Sequence, residues 1–379
     1  MAGIYIHIPF CKKACHYCDF HFSTLLKNKP EFLLALKKEI EVQKNYLKGE
    51  EINTIYFGGG TPSLLSELEL EDIFNTLTIH YNINKNAEIT LEANPDDLTD
   101  LKISELKKTP INRLSIGVQS FYNEDLILMN RAHNAIEAIN AIKKVQDNGI
   151  DNITIDLIYG IPTLSHAKWE NNLNTATDLK IKHLSAYCLT VEPKTALAKF
   201  IATGKIKNVD DQHSSEQFEI MLTILKKKNF NQYEISNFCK ESFYSQHNSN
   251  YWLKKKYLGL GPSAHSYNGI SRQWNIANNA IYIKSLQNEA THKRFAVEFL
   301  TPQQHYNEYV LTSLRTMWGI DLDYIQKQFG DPFLSYCLKE VKQSINNNYV
   351  INENNKLYLT DEGKLFADKI ASDLFLVEK

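Results

Sequence analysis

Three cysteines, Cys11, Cys15 and Cys18, fall in the segment IYIHIPFCKKACHYCDF at residues 4–20. Phe20 occupies the position where a CxxxCxxCxC pattern would place a fourth. Structural zinc is usually closed by four ligands in two spaced pairs, so a zinc site here would have to recruit His7, His16 or His21. Three thiolates on one short loop also suit a [4Fe–4S] cubane whose fourth iron has no protein ligand and is open to a small molecule. The remaining cysteines, Cys188, Cys239 and Cys337, are scattered, and six in a chain of this length do not form a disulfide framework.

Other residues with chemical potential lie downstream. Gly58, Gly59 and Gly60 precede Thr61 in YFGGGTPS and would let a backbone approach a ligand closely; a Gly run alone is also an ordinary tight turn. Glu92, Gln119 and Asp156 each stand at or near the end of a β-rich run. Arg131, in LMNRAHN, can grip a carboxylate with its planar fork. Tyr5 and Tyr17 flank the cysteine loop. A polar aromatic stretch, YSQHNSNYW, contains His247, Tyr251 and Trp252 and runs into three lysines at 254–256.

The elements that must position these groups follow a rhythm. β-rich runs at 4–8, 52–57, 87–93, 112–118, 152–159 and 183–190 alternate with helical patterns at 30–47, after the capping-box signature SELE at 66–69, and at 134–148 before Gly149. Six strands alternating with helices predict a parallel sheet with right-handed crossovers. Their Ile-rich, imperfect alternation predicts burial on both faces. A doubly wound sheet and a partial barrel both fit. Polar residues converging at the carboxyl ends of several strands favour the barrel, where such ends form one mouth.

After about residue 195 the pattern changes. A helix is predicted from Asp210 to Lys228, then a Gly-rich turn LGLGPSAHSYNG at 258–269. The end of the chain reads as strand, Asn-rich turn, strand and helix, a winged-helix shape. Residues 291–379 hold 10 Lys and Arg against 12 Asp and Glu, which makes a poor phosphate binder, so no nucleic acid is expected. The predicted organisation is residues 1–230 as the barrel, 231–290 as a connecting segment with the aromatic motif, and 291–379 as a smaller, mostly helical, winged-helix-like domain.

Net charge is -2 and 43% of residues are hydrophobic, an ordinary globular composition with no global field for nucleic acid or acidic lipid. MAGIYIHIPF is not a signal peptide pattern, and no apolar run is long enough to span a membrane; a cytoplasmic protein is expected.

The combination of CxxxCxxC after the first strand with GGGTP after the second resembles the radical S-adenosylmethionine (SAM) superfamily. YIHIPFC, YFGGGTPS, RLSIGVQSF, IDLIYGIP and GLGPSAHSY extend the resemblance, over nearly the whole chain, to the coproporphyrinogen III dehydrogenase group. The resemblance implies a partial (β/α)6 barrel, with Cys11, Cys15 and Cys18 on a [4Fe–4S] cluster. It implies SAM contacts from Tyr5, Tyr17, Gly58, Gly59, Gly60, Thr61, Glu92, Gln119, Arg131 and Asp156.

Two departures separate the chain from the dehydrogenases themselves. Phe20 replaces their last cysteine, and the first strand follows the start of the chain without their extension. CHYCDF, and HNSNYW at 247–252, resemble instead the HemW-type branch of heme chaperones. That resemblance implies His247 as an axial heme ligand, with Tyr251 and Trp252 against the porphyrin and lysines 254–256 near its propionates. Cys239 and His265 are further groups able to ligate iron. The expected function is heme binding and transfer to an apo-hemoprotein acceptor, with transient contact at the inner membrane face. Decarboxylation of coproporphyrinogen III, a radical SAM reaction on heme itself, and a zinc-stabilised protein without cofactor chemistry are the alternatives; whether SAM is turned over stays open.

Overall fold

The computed structural model describes residues 1–287 and 294–377. Its centre is six parallel strands in sequential order: β1 (Ala2–Ile8), β2 (Ile52–Gly59), β3 (Ile83–Ala93), β4 (Arg113–Gln119), β5 (Ile153–Tyr159) and β6 (His183–Cys188). The sheet does not close. Beyond β6 come β7 (Asn231–Glu234) and β8 (Asn237–Cys239), with β8 antiparallel to β6. Beyond β1 come β9 (Tyr257–Leu260), β10 (His265–Tyr267), β11 (Ser271–Asn275) and β12 (Phe295–Phe299). This is the partial barrel that the family resemblance implies and that the strand rhythm left open beside a doubly wound sheet, extended at both edges.

Each barrel strand sorts its residues with period two. In β1, Ile4, Ile6 and Ile8 are fully buried and share the main apolar core with Phe32, Leu36 and Ile40 of the helix Lys29–Val42. The intervening Gly3, Tyr5 and His7 face the interior, against Thr54, Tyr56 and Gly59. Both faces are buried, as expected, but they differ in chemistry. The inner face is polar: Glu88 lies 3.9 Å from Arg113, Arg113 bonds Thr154, and Ser115 donates to Asp156 at 3.3 Å. Alternation looks imperfect in the sequence because small and aromatic residues serve both faces.

The helix caps follow the sequence. Ser66 and Glu69 form the reciprocal capping box that SELE predicts, Asn134 and Glu137 form another, and Asp210 caps Asp211–Lys227. Ser66→Ala should cost about 1 kcal/mol of stability, read by chemical denaturation. The first helix ends at Val42 rather than near Leu47, because the chain leaves helical geometry at Gln43 and passes through turns to the left-handed Lys48 and Gly49.

GLGPSAHSY has a structural explanation. A Cβ on Gly259 would lie 2.1 Å from the His265 carbonyl, and one on left-handed Gly261 would lie 2.5 Å from that of His7. Fully buried Glu39 accepts from Gly261 N–H at 2.7 Å, Asn275 Nδ2 at 2.7 Å and Tyr282 O–H at 2.6 Å, tying this edge to the first helix.

Segment 231–290 thus adds strands to the main sheet and residues such as Leu258, Leu260 and Tyr282 to the main core. A second core, from Tyr306 to Leu374, begins after β12. There β13 (Ile320–Asp321), β14 (Val350–Glu353) and β15 (Lys356–Leu359) form a small antiparallel sheet followed by the helix Ala367–Asp373, the winged-helix-like arrangement expected. No helix among the described residues is long and apolar enough to cross a membrane.

Candidate functional site

The carboxyl ends of β1 and β2 meet the cysteine loop. Gly60 N–H donates to the Ile8 carbonyl at 2.9 Å and Thr61 N–H to that of Phe10 at 2.7 Å, while Cys11 N–H donates to Ser23 O at 3.0 Å. The loop is therefore sewn to the glycine run by backbone bonds. The glycines are required by the protein's own packing as well as by any ligand. A Cβ on Gly59, at φ +104°, would lie 2.5 Å from the His7 ring, and one on Gly60 would lie 2.6 Å from Phe10 O. His7 itself is held by Tyr5 O–H (3.2 Å to Nδ1) and by the His21 carbonyl (2.8 Å to Nε2). Burial lowers its pKa to about 4, so it is a neutral support. His16 packs Nδ1 on the Leu128 carbonyl at 2.8 Å. Two of the histidines that a zinc site would recruit are thus tied to backbone carbonyls.

Cys11, Cys15 and Cys18 are free thiols, all partly exposed. Burial pushes Cys18 up to about 11, and the neighbouring Cys15 and Cys11 add to the shift; Cys11 is raised by burial first, with smaller contributions from Cys15 and Glu92. Clustered thiols such as these are stabilised as thiolates by a shared cation, which is what an iron–sulfur cluster supplies. Arg131 reaches this group: its guanidinium donates to Cys15 Sγ at 3.2 Å, Asn94 Oδ1 at 2.6 Å and the Gly117 carbonyl at 2.7 Å. Its Nε is buried without a hydrogen-bond partner. Tyr17 is near enough to Arg131, Cys15 and Cys18 to feel their charges, its hydroxyl kept protonated by burial. Phe20 is 67% exposed at the end of the loop.

Glu92 is the central carboxylate. It accepts from Tyr56 O–H at 2.8 Å and Gly59 N–H at 3.1 Å. Burial, with the nearby charge of Asp156, raises its pKa to about 7; burial raises that of Asp156 to about 6. Gln119 closes β4 in a left-handed conformation, φ 69°, and its amide nitrogen lies 3.0 Å from the position of a Cβ on Gly117. Cys11, Cys15, Cys18, Tyr5, Tyr17, Gly59, Gly60, Thr61, Glu92, Gln119, Arg131 and Asp156 thus all lie in or around one barrel mouth. Tyr56 and Asn94 were missed. Tyr56 shares the inward phase of Thr54 and Gly58 on β2, a signal that period-two reading could have used.

His247, Tyr251 and Trp252 are placed elsewhere. They lie on the helix Gln246–Trp252, whose first N–H groups donate to Glu88: Gln246 to Oε2 at 3.1 Å, His247 to Oε1 at 3.0 Å. Thr54 lies in the amino-terminal half of β2 and pairs in register with Glu88 at the middle of β3, so this helix packs on the side of the barrel away from the cysteine loop. Thr54 and Gly59 are five residues apart on β2, roughly 17 Å. The His247 ring is buried and stacked on Tyr56, centroids 5.1 Å apart. Its Nδ1 meets Thr54 Oγ1 at 2.9 Å and its Nε2 meets Tyr251 O–H at 2.8 Å. Burial lowers its pKa to about 3, leaving a neutral imidazole.

Outside this helix is a cleft of about 210 Å³ whose walls include Tyr251, Trp252, Lys254, Lys255, Arg272 and Glu308. The carboxyl-terminal domain closes one side: Arg272 Nε donates to Glu308 at 2.6 Å, Lys254 Nζ to the His305 carbonyl at 2.9 Å, and the Arg315 guanidinium lies 5.5 Å from the Trp252 ring centre. Lys256 instead pairs with Glu50. Cys239 is buried on β8 with its thiol pushed up to about 12, and exposed His265 stacks on Trp274.

Residues 5–176 match the Radical SAM superfamily and residues 300–366 the HemN C-terminal domain. A Bacillus subtilis protein named heme chaperone HemW is 33% identical over 98% of both chains. A Lactococcus lactis protein of the same name is 31% identical over 95% of this chain and 93% of its own. Among solved structures, the Escherichia coli radical SAM enzyme coproporphyrinogen III oxidase (HemN) superposes with a TM-score of 0.85 at 22% identity, covering 99% of this chain and 90% of that one. The radical SAM match implies a [4Fe–4S] cluster and SAM, and the three free thiols beside the glycine run fit both.

Proposed function

Since the chain belongs to the HemW family of radical SAM proteins, we propose that it binds heme and hands it to apo-hemoprotein acceptors. The observation that carries this reading is the cleft beneath HNSNYW. It combines aromatic walls, Tyr251 and Trp252, with Lys255 and with Lys254 and Arg272, whose present partners, the His305 carbonyl and Glu308, a macrocycle's carboxylates would displace. Its volume is below that of sites that enclose a drug-sized ligand, so it takes the propionate edge of the macrocycle and leaves the opposite edge exposed for transfer.

His247 is the proposed axial ligand. A neutral imidazole is the form that binds iron, and Nε2 becomes free when Tyr251 turns away. At the barrel mouth, Cys11, Cys15 and Cys18 would hold the cluster, which supplies an open iron for the methionine end of SAM. Around it Glu92 offers an acceptor for the SAM amine, Arg131 holds Cys15 and the strand ends in place, and Tyr5, Tyr17, Gly59, Gly60, Thr61, Gln119 and Asp156 shape the cradle. In this reading Tyr56 joins the two sites, stacking on His247 and donating to Glu92, which gives SAM a route to influence the heme end through conformation. Phe20 in place of a cysteine sets the chain apart from the dehydrogenase pattern. Delivery to membrane-bound acceptors would require transient docking at the membrane surface.

The test is anaerobic reconstitution of the cluster, addition of heme, SAM and reductant, and mass spectrometry of the recovered tetrapyrrole. Intact heme near one per chain is expected. A modified macrocycle with rising 5′-deoxyadenosine would overturn the carrier reading, as would protoporphyrinogen formed from coproporphyrinogen.

A further inference from the structure

A second group of ligating side chains lies away from both sites. His166 begins the helix His166–Asp178, just after its Ser165 cap, and His213 and Glu216 lie one turn apart on Asp211–Lys227. One ligating atom from each of the three falls within 4.8 Å of the other two. His166 Nε2 is 3.0 Å from Glu216 Oε2, and the two imidazole centres are 4.5 Å apart.

The His166–Glu216 pairing explains the first contact, and the Leu164 carbonyl engages only Nε2 of the His213 ring, leaving its approach to His166 to be accounted for. Two imidazoles this close repel one another once protonated, and a carboxylate needs only one of them. A cation shared by both rings and the carboxylate accounts for all three positions. The His213 ring is also oriented from behind: Nε2 lies 2.8 Å from the Leu164 carbonyl and 3.0 Å from Gln217 Nε2. Gln217 is itself fully buried, accepting from Gly160 N–H at 2.7 Å and donating to Leu164 O at 2.8 Å, while its carbonyl accepts from Trp169 Nε1 at 2.9 Å. Metal-ligating histidines are held in this way by outer carbonyl and amide groups. The His166 and Glu216 side chains are 38% and 46% exposed, which provides an entry path.

We propose that His166, His213 and Glu216 bind one divalent ion of the zinc class. Two nitrogens and one carboxylate oxygen match the three protein ligands of open zinc sites, with water completing the shell. Borderline-soft ions from cobalt to zinc suit this set, and magnesium or calcium, which demand oxygen, do not. The ion would clamp together the starts of two helices and the 160–165 loop. That loop follows β5, the strand that carries Asp156, so the clamp braces the barrel mouth. This inference is independent of the heme reading.

The experiment uses cluster-loaded protein dialysed anaerobically against zinc, with zinc and iron counted by mass spectrometry and thermal unfolding followed alongside. Wild type should retain one zinc per chain beyond its iron and unfold at a higher temperature with zinc than without. His166→Ala and Glu216→Gln, both at exposed positions, should weaken zinc retention at least roughly tenfold with iron unchanged, and should lose the thermal shift. Equal zinc retention in these variants, no zinc in wild type, or zinc that disappears only with Cys11→Ala would each overturn the site.

Discussion

Glu92→Gln should flatten the pH dependence of stability and weaken SAM binding. In the folded protein Glu92 is held near pKa 7 against an ordinary 4.5, by burial first and by Asp156 second. Its folded pKa is raised, so between pH 4.5 and 7 the folded state carries a proton that the unfolded chain has lost. Stability then falls as pH rises through that window, by up to about 3 kcal/mol. Glutamine resembles the protonated acid: one end can accept from Gly59 N–H and the other can donate to the Tyr56 oxygen. The variant should therefore lose less stability than wild type between pH 5 and pH 8, as read from denaturant midpoints of apo protein. Asp156, raised to about 6 by burial, keeps a smaller slope in both proteins. The same charge favours a bound ammonium. SAM affinity, measured by equilibrium dialysis on cluster-loaded protein, should rise from pH 6 to pH 8 in wild type only. It should fall about tenfold to a hundredfold on substitution, the weight of one charge-assisted hydrogen bond. Parallel stability profiles and equal affinity for SAM would show that Glu92 is only a strand-end anchor for Gly59.

What could be read in advance depended on how local each feature is. The cysteine spacing, the glycine run and both capping boxes are set within a few residues, and their places in the fold follow the sequence closely. The six parallel strands announced themselves through repeated Ile-rich runs. The inner face was harder to see. Tyr56, Ser115 and Thr154 read as ordinary strand residues until the registers bring them beside Glu92, Asp156 and Arg113. The position of HNSNYW was not legible at all. Its helix is anchored by Glu88, 159 residues before His247, and nothing in either segment signals the other. The resemblance implies a heme ligand at His247 without placing it; the long-range cap buries His247 in the barrel and leaves Tyr251 and Trp252 as its outer wall.

That burial makes heme affinity depend on Tyr251 in a direction opposite to its dependence on His247. Tyr251 O–H occupies Nε2 at 2.8 Å, so under the proposed ligation iron would be bound only by the fraction of molecules in which this bond is open. Removing the hydroxyl while keeping the ring forfeits a hydrogen bond worth about 1 kcal/mol, which raises that fraction about fivefold. Tyr251→Phe keeps the aromatic wall and the edge-on contact with Tyr257, centroids 4.6 Å apart. It should therefore bind heme more tightly and load faster than wild type. His247→Ala removes the proposed ligand altogether. Loss of the axial bond should lower heme affinity by at least about tenfold, with the cluster content unchanged, because the cysteines lie on a loop away from this helix. Heme titrations followed through the Soret band, with iron and sulfide counted in parallel, read both effects. A purely structural His247 makes a different pattern. Both substitutions would then disturb the helix Gln246–Trp252, both would lower stability, and heme affinity would move together or not at all. Opposite signs for the two variants are the outcome that places the iron on His247 Nε2.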